Sequence, residues 1–212
     1  MSDLNYAQYD FTNADDSHMH RHFMPPLLEL CGDLVRPGAR VLDVGCGNGA
    51  TVGLFLARGC DVVGIDLSDS GLALAKAAHP QARFEQIPVD KQILDNLATS
   101  AFDLVVSTEV IEHLYAPREY AAGCFHALRP GGRFICSTPY HGYLKNLLIA
   151  VAGKNDSHSS PLWDGGHIKS WSRRTLSVLL KESGFVNLRF RGAGRLPFLW
   201  MTMLMSADRP LS

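Results

Sequence analysis

A run of apolar residues that ends in three closely spaced glycines constrains this chain more than any other feature. Val41-Leu42-Asp43-Val44-Gly45-Cys46-Gly47-Asn48-Gly49 has the length of one strand followed by a tight turn, and a helix-length pattern opens at Ala50. Glycine lets the backbone reverse sharply and approach a ligand, and the helix N-terminus behind it offers free N–H groups. The same rhythm then repeats. Strands are expected at 40–44, 62–65, 82–85, 102–106 and 133–137, with helices between them and an Arg129-Pro130-Gly131-Gly132 turn before the last. Strands alternating with helices make βαβ units and a largely parallel sheet.

Outside this core the pattern changes. Residues 1–21 are polar and are expected to form an arm or flap, with Tyr6, Tyr9, His18, His20 and His22 as lid contacts. A helix is expected at 22–34, where Phe23, Leu27, Leu30 and Leu34 recur at helical spacing. After the fifth strand, Tyr143–Val151 reads as a helix with Tyr143, Leu144, Leu147, Leu148 and Val151 on one face, and 154–166 as a polar loop carrying Trp163. A helix at 175–183 and strands at 186–191 and 199–206 complete the chain, the last pair antiparallel at or near a sheet edge. Residues 1–212 are therefore read as one α/β domain.

Composition excludes several function classes. The formal net charge is −1, so no general electrostatic attraction draws the chain to nucleic acid, although Lys169, Arg173 and Arg174 make a local patch. No apolar run reaches the roughly 20 residues that cross a bilayer. The five cysteines are scattered without a C-x-x-C pair, which argues for neither a disulfide framework nor a thiolate zinc site. The start of the chain lacks the basic and apolar stretches of a secretory signal, and a cytoplasmic location is expected.

Asp43 decides what the glycine turn receives. Gly45-x-Gly47-x-x-Ala50 satisfies the dinucleotide fingerprint, but a carboxylate just before the turn would repel a pyrophosphate. It suits a ligand carrying positive charge, such as S-adenosylmethionine with its ammonium and sulfonium groups. Asp66 ends the second strand, where a carboxylate can accept both hydroxyls of a ribose; Ser68 and Asp69 are available to cap the following helix. Cys46 has no neighbouring base and reads as a small loop residue rather than a nucleophile.

Four segments in order, VLDVGCGNG, VVGID, FDLVVSTEVIEHL and LRPGGRFICSTP, resemble the class I S-adenosylmethionine-dependent methyltransferases over about residues 22–138. The resemblance implies a Rossmann-like, seven-stranded, mostly parallel sheet with one antiparallel strand and helices on both faces. It further implies Asp43, Gly45, Cys46 and Gly47 around the methionine portion of the donor, Asp66 and Leu67 on its ribose, Thr108 near the sulfonium, and Gln86–Val89 near the adenine.

Glu109, Glu112 and His113 follow the fourth strand at a spacing that lets one helical turn aim all three at a single locus. Two readings stand. In one, the E-x-x-E-H stretch lines a metal-free pocket, with His113 as proton acceptor, Glu112 beside it and His141 as second choice. In the other, Glu109, Glu112 and His113 hold a divalent ion, Mg²⁺ or Zn²⁺. The stretch is similar to that of the ubiquinone-biosynthesis O-methyltransferases and the small-RNA 3′-end methyltransferases, and the segment 165–171 is similar to the one that adds a further histidine in the RNA enzymes, here His167. The segment 139–171 resembles the substrate-side insertion of the ubiquinone-biosynthesis enzymes. Its apolar helix is expected either to pack on the sheet or to face a hydrophobic acceptor, with peripheral membrane contact as a corollary. The leading reading is O-methylation of a small-molecule hydroxyl in a catechol, quinol or other diol. The alternatives are a 2′-O-methyltransferase of RNA 3′ ends, which the near-neutral charge disfavours, and a catalytically idle S-adenosylmethionine-binding domain. The oligomeric state is not legible.

Overall fold

The apolar strand periods do assemble one sheet. The computed structural model describes residues 11, 20–159, 162 and 166–211. Helix α1 (His20–Cys31) leads into β1 (Arg40–Val44), α2 (Ala50–Leu56), β2 (Asp61–Asp66), α3 (Asp69–Ala78), β3 (Arg83–Gln86), α4 (Ile93–Leu97) and β4 (Phe102–Thr108). Then come α5 (Pro117–Ala127), β5 (Leu128–Pro139), α6 (Tyr143–Val151), α7 (Asn155–Ser159), α8 (Arg173–Glu182), β6 (Val186–Ala193) and β7 (Thr202–Asp208). The strand order is β3-β2-β1-β4-β5-β7-β6, and β7 alone runs antiparallel to its neighbours. The expected sheet, including its one reversed strand, is thus present. The order reverses direction between β1 and β4, which opens a crevice at their carboxyl ends where ligands of such sheets bind.

Alternation along the strands fills two cores. Leu42 and Val44 join Ile93, Tyr120, Phe134, Leu176 and Leu180 on the α4, α5 and α8 side. Val41, Leu104 and Val106 join Phe23, Leu27, Val52, Phe55 and Leu72 on the α1, α2 and α3 side. A period of two along β1 sends successive side chains to opposite faces, and each face is covered by helices.

Several expected boundaries move for local reasons. The first helix stops at Cys31 because Gly32 takes φ +56°, and a 3₁₀ turn covers Gly32–Leu34. The Arg129–Gly132 turn lies within β5 as a bulge: pairing jumps from Phe102↔Leu128 to Leu104↔Arg133, and Arg129 Nε bonds Asp103 Oδ1 at 2.7 Å. The loop expected at 154–166 contains the short helix α7. Ser68 caps α3, as read, by accepting the Gly71 N–H at 3.0 Å. Helix α6 forms as expected, but its apolar face does not pack on the sheet. Tyr143 and Val151 are 84% and 79% exposed, and Leu144, Leu147 and Leu148 are also exposed, while Lys145 is buried. Among the described residues no helix is long and apolar enough to cross a membrane. Tyr6, Tyr9, His18, Trp163 and Gly165 lie outside the described residues, as does most of the 1–21 arm.

Candidate active site

The glycine turn at the end of β1 is held by its neighbour strand. Gly45 and Cys46 donate their N–H groups to the Ile65 carbonyl at 2.8 and 3.0 Å. Gly45, Gly47 and Gly49 all have positive φ (74°, 49° and 83°), a conformation that other residues pay strain to adopt. Asp66, at the end of β2, binds the turn directly: its Oδ2 accepts the Gly47 N–H at 2.7 Å and its Oδ1 accepts the Ser68 N–H at 2.8 Å. Each oxygen retains a lone pair, so the carboxylate can also accept from a ligand hydroxyl. Beside it Leu67 is exposed, and its carbonyl accepts from Gln86 Nε2 at 3.0 Å.

Asp43 behaves differently. It is fully buried, and neither carboxylate oxygen has a hydrogen-bond partner. Burial, reinforced by the Asp66 charge, pushes its pKa up to about 8. A buried carboxylate without a donor costs stability unless a cation or N–H reaches it. The residues present therefore fit a positively charged ligand at this turn. Burial also raises the Cys46 thiol far from the thiolate range, which agrees with reading it as a spacer.

Phe11 is a residue the sequence reading did not single out. A Cβ added at Gly47 would fall 2.6 Å from its Cζ and one at Gly71 2.9 Å from its Cδ2, and its N–H donates to Ser70 Oγ at 3.1 Å. The glycines here make room for an aromatic ring.

Across the crevice, β4 ends at Thr108, and Glu109 takes φ +55°. That left-handed step is unusual for a non-glycine residue and turns Glu109 away from the following 3₁₀ turn, Ile111–His113. Its N–H meets the Ser137 carbonyl at 3.2 Å, and Ser137 Oγ donates to its Oε1 at 2.7 Å. Burial lifts the Glu109 pKa to about 7 against the lowering effects of Ser137 and Lys145. Val110 then packs on the glycine turn so closely that a Cβ on Gly45 would collide with its Cγ2. The two sides of the crevice are therefore in contact.

Glu112 is 1% exposed, and neither its oxygens nor the Thr138 hydroxyl completes a hydrogen bond. Burial, and then the Glu109 charge, raise its pKa. His167 arrives from far along the chain because the N–H groups of Ile168 and Lys169 both bond the Glu112 carbonyl at 3.0 Å and Trp171 Nε1 bonds the Ile111 carbonyl at 3.3 Å. The His113 and His167 rings meet edge to face at 4.9 Å, and His167 Nε2 stands 4.0 Å from Glu112 Oε1. One ligand atom from each of Glu112, His113 and His167 lies within 4.8 Å of the others. Glu109 is not in this group: its left-handed backbone hands its carboxylate to Ser137, so the set expected from the 109–113 spacing and from the resemblance at 165–171 contracts from four residues to three among the described residues. Burial and the neighbouring imidazoles lower the His167 pKa to about 4, leaving it neutral. His141 lies further out, 6.0 Å from the His158 ring, with its pKa also lowered, first by burial.

The methyltransferase-domain family profile matches residues 16–189, most of the chain. The chain belongs to the class I S-adenosylmethionine-dependent methyltransferases. This methyltransferase is 30% identical over 186 residues to the ubiquinone biosynthesis O-methyltransferase of Roseobacter denitrificans, covering 83% of this chain and 73% of that one. It is 34% identical to a protein of the same name from Cereibacter sphaeroides, covering 85% and 73%. A solved S-adenosylmethionine-dependent methyltransferase from Mesorhizobium loti superposes with a TM-score of 0.69 at 23% identity, over 88% of this chain and 97% of that one, and so shares its fold. Besides Phe11, the sequence reading gave this methyltransferase no role for Ser137 or Lys145. Ser137 lay in plain view in the LRPGGRFICSTP segment, and Lys145 was visible as a charge interrupting an apolar run.

Proposed function

We propose that this methyltransferase transfers a methyl group to a hydroxyl of a small molecule bearing vicinal oxygens, such as a catechol or quinol. The convergence of Glu112, His113 and His167 past the end of β4 carries this reading. The names of the two bacterial relatives support it. S-adenosylmethionine, when bound, supplies a methyl group already activated for in-line displacement. On the donor side Asp43 and the Gly45-Cys46-Gly47 backbone take the methionine portion, Asp66 and Leu67 the ribose, and Thr108 lies by the sulfonium. The segment 139–171 forms the acceptor wall.

The protein's remaining work is to place the acceptor hydroxyl against the methyl carbon, exclude water and remove a proton. Two imidazoles with a buried, otherwise unpartnered carboxylate fit a divalent ion, and this nitrogen-rich set suits Zn²⁺ better than Mg²⁺. An ion held by Glu112, His113 and His167 would polarise the acceptor oxygens and lower the pKa of the attacking hydroxyl. Glu109, tied to Ser137, shapes the pocket floor rather than completing this set. His141, neutral near pH 7, then accepts the proton; if the three residues work without an ion, His113 does so.

The test is turnover of catechol and of its monomethyl ether with S-adenosylmethionine, reading S-adenosylhomocysteine, with and without chelator. Catechol should react and the ether should not. Equal rates for the two, or a product methylated on a ring carbon, would sink the vicinal-oxygen reading. Full activity in chelator would assign His113 to the proton.

A further inference from the structure

A second polar group lies next to this crevice, and the reaction described above does not use it. Lys145, in the first turn of α6, is only 7% exposed although the rest of that helix faces solvent. A lysine is seldom buried so far without a paired acid. Its Nζ donates to the Tyr140 carbonyl at 2.8 Å, a neutral partner that satisfies one of three donors. Glu109 is close enough to favour its charge, but that carboxylate is already bonded to Ser137.

Backbone hydrogen bonds lead from Lys145 to a second cation. The Tyr140 N–H bonds the Met201 carbonyl at 3.0 Å, and the Met201 N–H bonds the Ala193 carbonyl at 2.9 Å. Ala193 ends β6 two residues before Arg195, which is exposed and held at φ +55°. Arg195 and Lys145 are near enough to repel, as are Arg195 and His158. No ion pair or hydrogen bond ties Arg195 to a carboxylate among the described residues. Two like charges thus share one wall. Aromatic rings adjoin them: Tyr140 meets Trp200 edge-on at 5.1 Å, and Phe198, largely exposed, lies 5.5 Å from Trp200.

Electrostatics makes such a wall costly alone and favourable around an anion. We propose that Lys145 and Arg195 form a subsite for a carboxylate on an aromatic acceptor, with Tyr140, Phe198 and Trp200 alongside its ring. Lys145 supplies a fixed, buried charge, and Arg195 supplies a planar fork that can take both carboxylate oxygens. The inference rests on the acceptor wall lying at 139–171, as proposed above, and it narrows the acceptor to an acid.

The experiment titrates 3,4-dihydroxybenzoate and its methyl ester into the full chain saturated with S-adenosylhomocysteine, by calorimetry. The acid should bind about tenfold more tightly than the ester, the worth of one charge-assisted contact. Arg195→Ala should bring the acid's Kd to that of the ester, and Arg195→Lys should restore part of the preference. Lys145→Met should act in the same direction, and the exposed position of Arg195 keeps the test valid if the buried variant fails to fold. Equal Kd values for acid and ester, a preference that survives Arg195→Ala, or no binding of the acid would each overturn the subsite. Methyl transfer is read in parallel. Selective acid binding without product leaves the subsite standing and sinks the catechol reading; product from both compounds without preference does the reverse.

Discussion

The two walls of the crevice are built by opposite means. The wall formed by the ends of β1 and β2 is made mostly of backbone: three glycines at positive φ, with N–H groups shared between the Ile65 carbonyl and the Asp66 carboxylate. Its parts lie within a few residues of two strand ends. The wall beyond β4 and β5 is made of side chains gathered from Glu109 to Arg195, including a strained glutamate, a buried lysine and a histidine anchored by two N–H groups on one carbonyl. A wall of backbone can receive the same donor in many relatives, whereas a wall of side chains can be re-specified by single substitutions. Under the proposed function, acceptor specificity resides in the wall of side chains.

Four measurements would break or sharpen that contrast. The largest effect on donor binding is expected from Asp66→Ala, which removes the acceptor for both Gly47 and Ser68 N–H groups. Calorimetry should show affinity for S-adenosylhomocysteine falling on the order of 100-fold, about 2.7 kcal/mol. His167→Ala should leave that affinity within about twofold; an equal loss in both variants would erase the division between walls.

Turnover reverses the ranking for the second wall. His167→Ala, or chelation in the parent enzyme, should lower kcat on catechol on the order of 10- to 100-fold if the three ligands hold an ion. Normal kcat in both would confine the wall to binding.

The third measurement concerns pH. Unfolded Asp43 releases its proton near about pH 4, while the folded protein keeps it up to about 8. Between these limits the unfolded chain binds fewer protons, so the donor-free protein should lose stability as pH rises, by up to about 1.4 kcal/mol per pH unit from this group. Asp43→Asn should remove that component from denaturant melts taken across the range. Parallel pH profiles for the two proteins would show that Asp43 is not buried as an acid. The smallest effect is expected on α6, where Leu147→Ser should change stability by no more than about 0.5 kcal/mol, because Leu147 is exposed. A loss of several kcal/mol would mean that this face is packed.

Legibility followed the same divide. β1 spans Arg40–Val44 as expected and stops at the first glycine of the turn, and Ser68 caps α3 as its position requires, because both depend on neighbours in sequence. The antiparallel placement of a late strand was also readable, since a Gly/Pro-bearing connection permits a hairpin near a sheet edge. The grouping of Glu109 with Glu112 and His113 was not. Spacing predicts a shared helical face, and nothing in the spacing reveals that Glu109 steps into left-handed backbone to meet Ser137. Lys145 likewise read as an interruption of an apolar helix, whereas the fold turns that helix inside out and buries the charge.

By itself, then, the order of residues determined the strand–turn–helix units, a late antiparallel pair near a sheet edge and the acidic, glycine-lined turn that suits a cationic methyl donor. Each of these follows from local hydrogen bonding and side-chain periodicity, which act over a few residues. Only the tertiary structure decided that Glu109 is drawn away from Glu112, His113 and His167, that Asp43 lies buried without a partner, and that Lys145 and Arg195 share a wall. Those outcomes depend on which distant segments the sheet brings together and on how far each charge is removed from water, and neither is encoded in spacing along the chain.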